Sequence, residues 1–140
     1  MNLNAIIDRI KTDVPELRLV GGSVEVAIAQ ENTRTTPAAF IIPATETSGP
    51  NTLGANAVSQ EVTATFTVVT AVANYRDATG LAGHDALQDI RTKMLKSLIG
   101  WVPPGAAVEI THNQGNMAYY NDSTLWWQDV YSTKFYRRKV

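Results

Sequence analysis

The side chains that could do chemistry are few. The chain holds two histidines, His84 and His112, and no cysteine. Nucleophilic catalysis by serine needs a base held beside it, and neither histidine is near a Gly-x-Ser-x-Gly turn. His84 falls where a helix is expected to start, and His112 lies beside a predicted hairpin turn, the usual place for a solvated imidazole. No catalytic residue is assigned. A zinc site wants three or four ligands at characteristic spacings, and the sequence offers no cysteine and no His-Glu-x-x-His. Asp85 and Asp89 stand one helical turn apart and could share a hard cation, but acids early in a helix are favoured by its dipole in any case. Gly80-Leu81-Ala82-Gly83 precedes a helix without the lysine or the glycine spacing of a phosphate loop, and reads as a flexible turn. Neither metal nor cofactor is expected.

Two features are left. Lys134, Arg137, Arg138 and Lys139 place four of the twelve basic residues in the last seven positions, with no acid after Asp129. Such a cluster could meet phosphate or an acidic partner, but it reads first as a frayed, solvated tail. Trp126 and Trp127 are adjacent, so on a strand they face opposite ways. Either one of them meets a partner, or both faces of the sheet are covered.

The chain that must position these residues has 140 residues, 44% of them hydrophobic and 18% charged, with a formal net charge of -1. That is the size and balance of a single domain, expected over residues 1–140, with no global field favouring nucleic acid or anionic membrane. The N-terminal stretch has Asp8 where a signal peptide would be basic or apolar, and no apolar run approaches the roughly 20 residues of a membrane span. Synthesis and folding in a reducing cytoplasm are expected, with no membrane partner.

Leu3, Ile6, Ile7 and Ile10 recur at helical spacing until Pro15 disfavours the helix at Val14. Residues 16–21 read as an extended link ending at Gly21-Gly22. Residues 23–30 are ambiguous: Val24, Val26 and Ile28 alternate as in a strand, while Ser23 as a cap and Ala27, Ala29 and Gln30 lean towards helix. Pro37–Pro43 is an apolar run bracketed by prolines, a buried strand. Ala44 to Asn56 has loop composition, with Leu53 almost its only apolar residue. A loop that long in a small domain usually has a job, so Thr45, Glu46, Asn51, Leu53 and Asn56 are candidate contact residues, ordering when a neighbour is met. Val62, Ala64, Phe66 and Val68 alternate with Glu61, Thr63, Thr65 and Thr67 in a strand with one buried and one hydroxyl-rich face. Asn74 to Gly83 is turn-rich. Leu87, Ile90, Met94 and Leu98 mark a helix stopped by Gly100, with an Asp89–Lys93 pair on its surface. Asn113-Gln114-Gly115-Asn116 reads as the turn of a hairpin between 108–111 and 117–120, and Asn121-Asp122-Ser123 as the next turn. An aromatic strand from about Leu125 to Arg137 closes the chain. The fold class is α+β: an antiparallel sheet with helices packed on one face and a long polar loop after the first core strand.

The order of these elements resembles the tail terminator, or tail completion, proteins of long-tailed bacteriophages. The resemblance rests on Pro37-Ala38-Ala39-Phe40-Ile41-Ile42-Pro43 before a polar loop, Gln60 opening an alternating strand, a helix running into Leu98-Ile99-Gly100-Trp101-Val102-Pro103-Pro104, and Trp127-x-Asp129-x-Tyr131 followed by Arg137. It implies a non-enzymatic virion subunit of the tail-neck region that forms a homo-oligomeric ring, commonly a hexamer, on the head-proximal end of the tail tube. There it would stop polymerisation and present a surface to the head connector or stopper protein, with DNA passing through the ring lumen. Beside the loop residues, Trp126, Trp127, Arg137, Arg138 and Lys139 are then the candidate interaction residues. A different neck or tail component, or a small ligand-binding or hydrolytic module, are the competing readings. A deep pocket of convergent titratable groups would favour the last.

Overall fold

The computed structural model describes residues 2–23, 35–73, 81–120 and 124–139. The element order is α1 (Leu3–Asp13), β1 (Leu19–Gly21), β2 (Ala38–Ser48), β3 (Val58–Ala73), α2 (Leu81–Leu98), β4 (Thr111–Tyr120) and β5 (Thr124–Lys139). The ambiguity over 24–30 and the turns expected at 74–80 and 121–123 lie outside the described residues.

α1 begins where the Asn2 side chain accepts a hydrogen bond from the Asn4 amide at 3.0 Å. It buries Ile6 and Ile10 and ends at Val14, before the proline that forbids its continuation. α2 buries the expected stripe of Leu87, Ile90, Met94 and Leu98. It starts earlier than its glycines suggest, because Leu81 to Gly83 are already helical rather than part of a turn. Gly100, at φ +86°, terminates it.

The strands form one sheet in the order β1-β2-β3-β5-β4. Every pair is antiparallel except β1–β2, which is parallel, so the sheet is mixed. Both helices pack on one face, where Ile6, Ile10, Leu87, Met94 and Leu98 meet Ala39, Ile41, Phe66, Val68 and Tyr131. Phe66 stacks on Tyr131 at 5.4 Å between ring centroids. On the opposite face Phe40 stacks on Trp126, with Ala38 and Ala71 beside them.

Three expectations are corrected. Pro43 does not end its strand: β2 absorbs it with a register shift at Ala44 and runs on to Ser48, so Thr45 and Glu46 are strand residues and the loop shrinks to 49–57. There is no hairpin turn at 113–116. β4 is one continuous strand with two irregularities, and Gly115 faces Asp129 in the middle of the ladder. The basic C-terminal residues are not a frayed tail, because Arg137, Arg138 and Lys139 pair with Gln60, Ser59 and Val58 of β3.

Candidate functional site

Two places in the fold bring polar residues together, one inside the sheet and one beyond it. Inside, the inward row of β5 reads Leu125, Trp127, Asp129, Tyr131, and so carries one acid among large apolar side chains. Asp129 is 1% exposed. Its carboxylate is gripped in bidentate fashion by Arg91 of α2, with Nη2 donating to Oδ1 at 2.8 Å and Nε to Oδ2 at 3.0 Å. His112 Nε2 lies 2.9 Å from Oδ1. A carboxylate only accepts, so that nitrogen carries the proton. The Arg91 guanidinium also lies 4.5 Å from the centre of the Trp127 ring.

Burial would push the Asp129 carboxyl up. The hydrogen bonds from Arg91 and His112, together with the nearby indole N–H of Trp127, outweigh it and hold the group below the ordinary carboxylate range. The indole N–H approaches the carboxylate without reaching good hydrogen-bond geometry, and it, Tyr131 OH and Thr70 Oγ1 are buried with no hydrogen-bond partner among the described residues. Tyr131 is held in its neutral form well above the normal phenol range, first by burial and then by the Asp129 charge.

A histidine beside a carboxylate invites a hydrolytic reading, so what surrounds the ring decides. The imidazole meets Asp129 and the ring of Tyr131, edge to face at 5.2 Å. That phenol is protonated, and Asp129 is already committed to Arg91, so the constellation ties α2 to β4 and β5 rather than poising a base. His84, at the start of α2, is exposed. Asp89 and Glu16 share Lys93, at 3.7 and 2.6 Å. Among the described residues no three His, Asp or Glu side chains are grouped to hold a metal ion, and no helix is long and apolar enough to cross a membrane.

The second place is where the sheet outgrows its neighbours. β1 pairs with β2 only from Ala38 to Phe40, and β4 pairs with β5 only as far as Ser132. Beyond those points β2, β3 and β5 continue as a three-stranded ribbon. Its outer strands are exposed, β2 from Pro43 to Ser48 and β5 from Tyr136 to Lys139, while Val62 of the central strand stays fully buried. Coil residues cap only the start of the β5 edge, where the Ala107 amide donates to the Lys134 carbonyl at 2.7 Å. Among the described residues no strand pairs with either remaining edge.

Most of the candidate contact residues lie here. Arg137 donates to Glu46 at 2.5 Å across β3, and Lys134 to Glu61 at 3.1 Å on the other face. Arg138 lies over the Tyr136 ring and reaches Ser59. Two of the four basic residues, Lys134 and Arg137, are thus answered by acids of the same chain. At the tip, Asn51 spends its amide inside the loop: Nδ2 donates to the Ala57 carbonyl at 3.0 Å, and Oδ1 accepts from the Leu53 and Ser59 amides at 3.1 and 2.9 Å. Ala55 and Asn56 take positive φ. The loop is therefore ordered by its own bonds, not left to order on contact, and Leu53 is 47% exposed on it. Trp126 and Trp127 lie at the other end of the sheet, one against Phe40 and the other under Arg91, so both faces are covered at that level.

Sequence reasoning passed over Asp129, Arg91 and Gly115 as a group. The available signal was an acid in the inward register of an aromatic strand, which needs a cation, opposite a glycine that no turn required.

The comparisons speak to the whole chain. No curated protein sequence matches it. A chain from the virion of a native gene transfer agent particle is similar in structure, at 11% sequence identity and a TM-score of 0.49, covering 96% of this chain and 93% of that one. The model of the phage tail terminator proteins matches residues 1–139. A family match that runs from the first helix through the last strand embraces the Arg91–Asp129 pair, the ribbon and the tip alike, and the chain belongs to the phage tail terminator family, a structural component of the phage tail.

Proposed function

We propose that the chain forms a ring, six copies being the number its family suggests, on the head-proximal end of the tail tube in the neck of the virion. The ring stops tube polymerisation and offers its other side to the head connector or stopper. The observation that carries this reading is the ribbon of β2, β3 and β5, whose two outer edges pair with no strand among the described residues. Unpaired edge strands left long and exposed are templates for a further chain. Here the two edges are different strands, so a contact between them is heterologous, and repeated with a constant rotation it closes a ring. Closure removes the edges and with them the means of further growth in the plane.

The charges fit a channel wall that DNA passes without being held. Glu46 and Glu61 neutralise Arg137 and Lys134, which leaves Arg138 and Lys139 as the ribbon's basic residues without an acidic partner among the described residues. Assembly takes place in the host cytoplasm before heads join. The test is light scattering of the purified protein with negative-stain imaging, alone and mixed with tail tubes. Rings seated on one end of each tube are the expected result, and tubes that stay bare and continue to elongate in the presence of the protein would overturn the reading.

A further inference from the structure

From the ribbon's two ends we infer that its tip is a plug for a pocket at the ribbon's root, and that the pocket it fills belongs to a second copy of the chain. The pocket is a cavity of about 350 Å³ where α1 begins beside the open edge of β2, lined by Leu3, Pro43, Ala44, Thr45, Glu46 and Ala64, with Thr65. Its wall is mostly apolar, and its one charge, Glu46, is already neutralised by Arg137. The tip matches it. From Thr47 to Gln60 the sequence has no charged residue, and Leu53 with its neighbour Gly54 stands at the exposed end. Burying an exposed leucine here strands no unpaired charge, because the tip carries none and Glu46 keeps Arg137.

Geometry excludes the chain's own pocket. Ala64 and Val58 are six steps apart on one strand, roughly 20 Å at the usual rise, and the tip lies beyond Val58 pointing away from the root. A tip held in shape by Asn51 cannot fold back along its own strand. It can reach only the root of another molecule. Order before contact also matters energetically, since little conformational entropy remains to be lost when Leu53 docks. Plug and pocket are different patches, so the contact is heterologous and propagates.

This inference rests on the ring reading, and the two can fail separately. The chain has no cysteine, so single cysteines report without background. The experiment mixes Leu53→Cys with Ala44→Cys, both exposed positions, assembles them with tail tubes, oxidises mildly and reads non-reducing gels, with Leu53→Cys plus Lys11→Cys as the control mixture. A disulfide needs α-carbons within about 7 Å, so a dimer band specific to the 53/44 mixture is expected. In parallel, Leu53→Ser should weaken self-association about tenfold or more, and Leu53→Met should retain it. Rings that form normally without the 53/44 band, and with Leu53→Ser at full strength, would overturn this contact and leave the ring reading standing. A chain that never associates on tubes would overturn both.

Discussion

Gly115 of β4 lies directly across the ladder from Asp129 of β5, and a β-carbon at position 115 would run into the Asp129 Oδ1 oxygen. The neighbouring contacts, Arg91 Nη2 and Trp127 Nε1, each lie 3.0 Å from that same point. An aspartate on the surface would swing away. This one is fixed by Arg91 and His112, so room for a methyl group is made only by breaking those bonds. Gly115→Ala should therefore cost about 2 kcal/mol, more than an ordinary glycine-to-alanine change in a strand, which is often favourable. Denaturant titration checks it, and a stabilised variant would show that the carboxylate is free to move.

The Arg91–Asp129 pair is buried on one side and 13% exposed on the other. Removing one partner strands the other charge, so Asp129→Leu or Arg91→Met alone should each destabilise by about 3 kcal/mol. The double replacement, with two apolar side chains of similar bulk, should cost clearly less than the sum. A double-mutant cycle measures the difference, and strict additivity would mean that the bond contributes little in place.

Acid should act on the same residue. The folded carboxyl sits below its unfolded value of about 3.9, so between the two values the unfolded chain binds more protons and stability rises with pH. This contribution is complete above about pH 5 and is lost as pH falls through the lower, folded value. Unfolding midpoints between pH 2 and pH 6 should thus fall less steeply with acid in Asp129→Asn than in the native chain. Equal slopes would assign acid sensitivity to other groups.

How far these features could be read beforehand depended on whether the cause was local. The stripe of Leu87, Ile90, Met94 and Leu98 and the alternation through Val62 and Phe66 were legible, because each face is decided by spacing within one element. Pro43 and Gly115 misled for one reason: both are breakers by local propensity and both were overridden by pairing. β3 supplies partners as far as Ser48, holding β2 extended past its proline, and Asp129 supplies a reason for a glycine inside a strand. The basic end read as a tail because the partner that orders it, Val58 to Gln60, is some eighty residues away in sequence.

The charges of the ribbon separate stability from association. Arg137 and Glu46 are each about half exposed, at 48% and 47%. Exposed pairs contribute at most about 1 kcal/mol, so replacing Arg137, Arg138 and Lys139 by glutamine should leave the unfolding midpoint nearly unchanged. The replacement also strips Glu46 of its cation while Glu61 keeps Lys134, turning the ribbon acidic. Self-association should then weaken and depend more steeply on salt. Light scattering across a salt series reads this directly, and an unaltered series would remove the basic cluster from the contact.

Asn51 offers the opposite separation at the tip. Its amide makes three hydrogen bonds to the loop and to the start of β3, at 3.0, 3.1 and 2.9 Å, the first two exposed and the third, from Ser59, partly buried. Bonds in that setting compete with water, so Asn51→Ala should lower global stability by only about 1 kcal/mol. The local consequence is larger, because Ala55 and Asn56 hold positive φ in a turn closed by the Ala57 amide on the Gly54 carbonyl, and the Asn51 amide is the side chain that ties this turn to the start of β3. Amide exchange over residues 51–59 should accelerate in the variant while the core strands stay protected. If the tip must be ordered before it docks, assembly on tail tubes should fall along with that protection, and raising the protein concentration should restore it, since only an entropic cost has been added. Assembly that persists with a loosened tip would show that shape at this end of the ribbon is not what the contact requires.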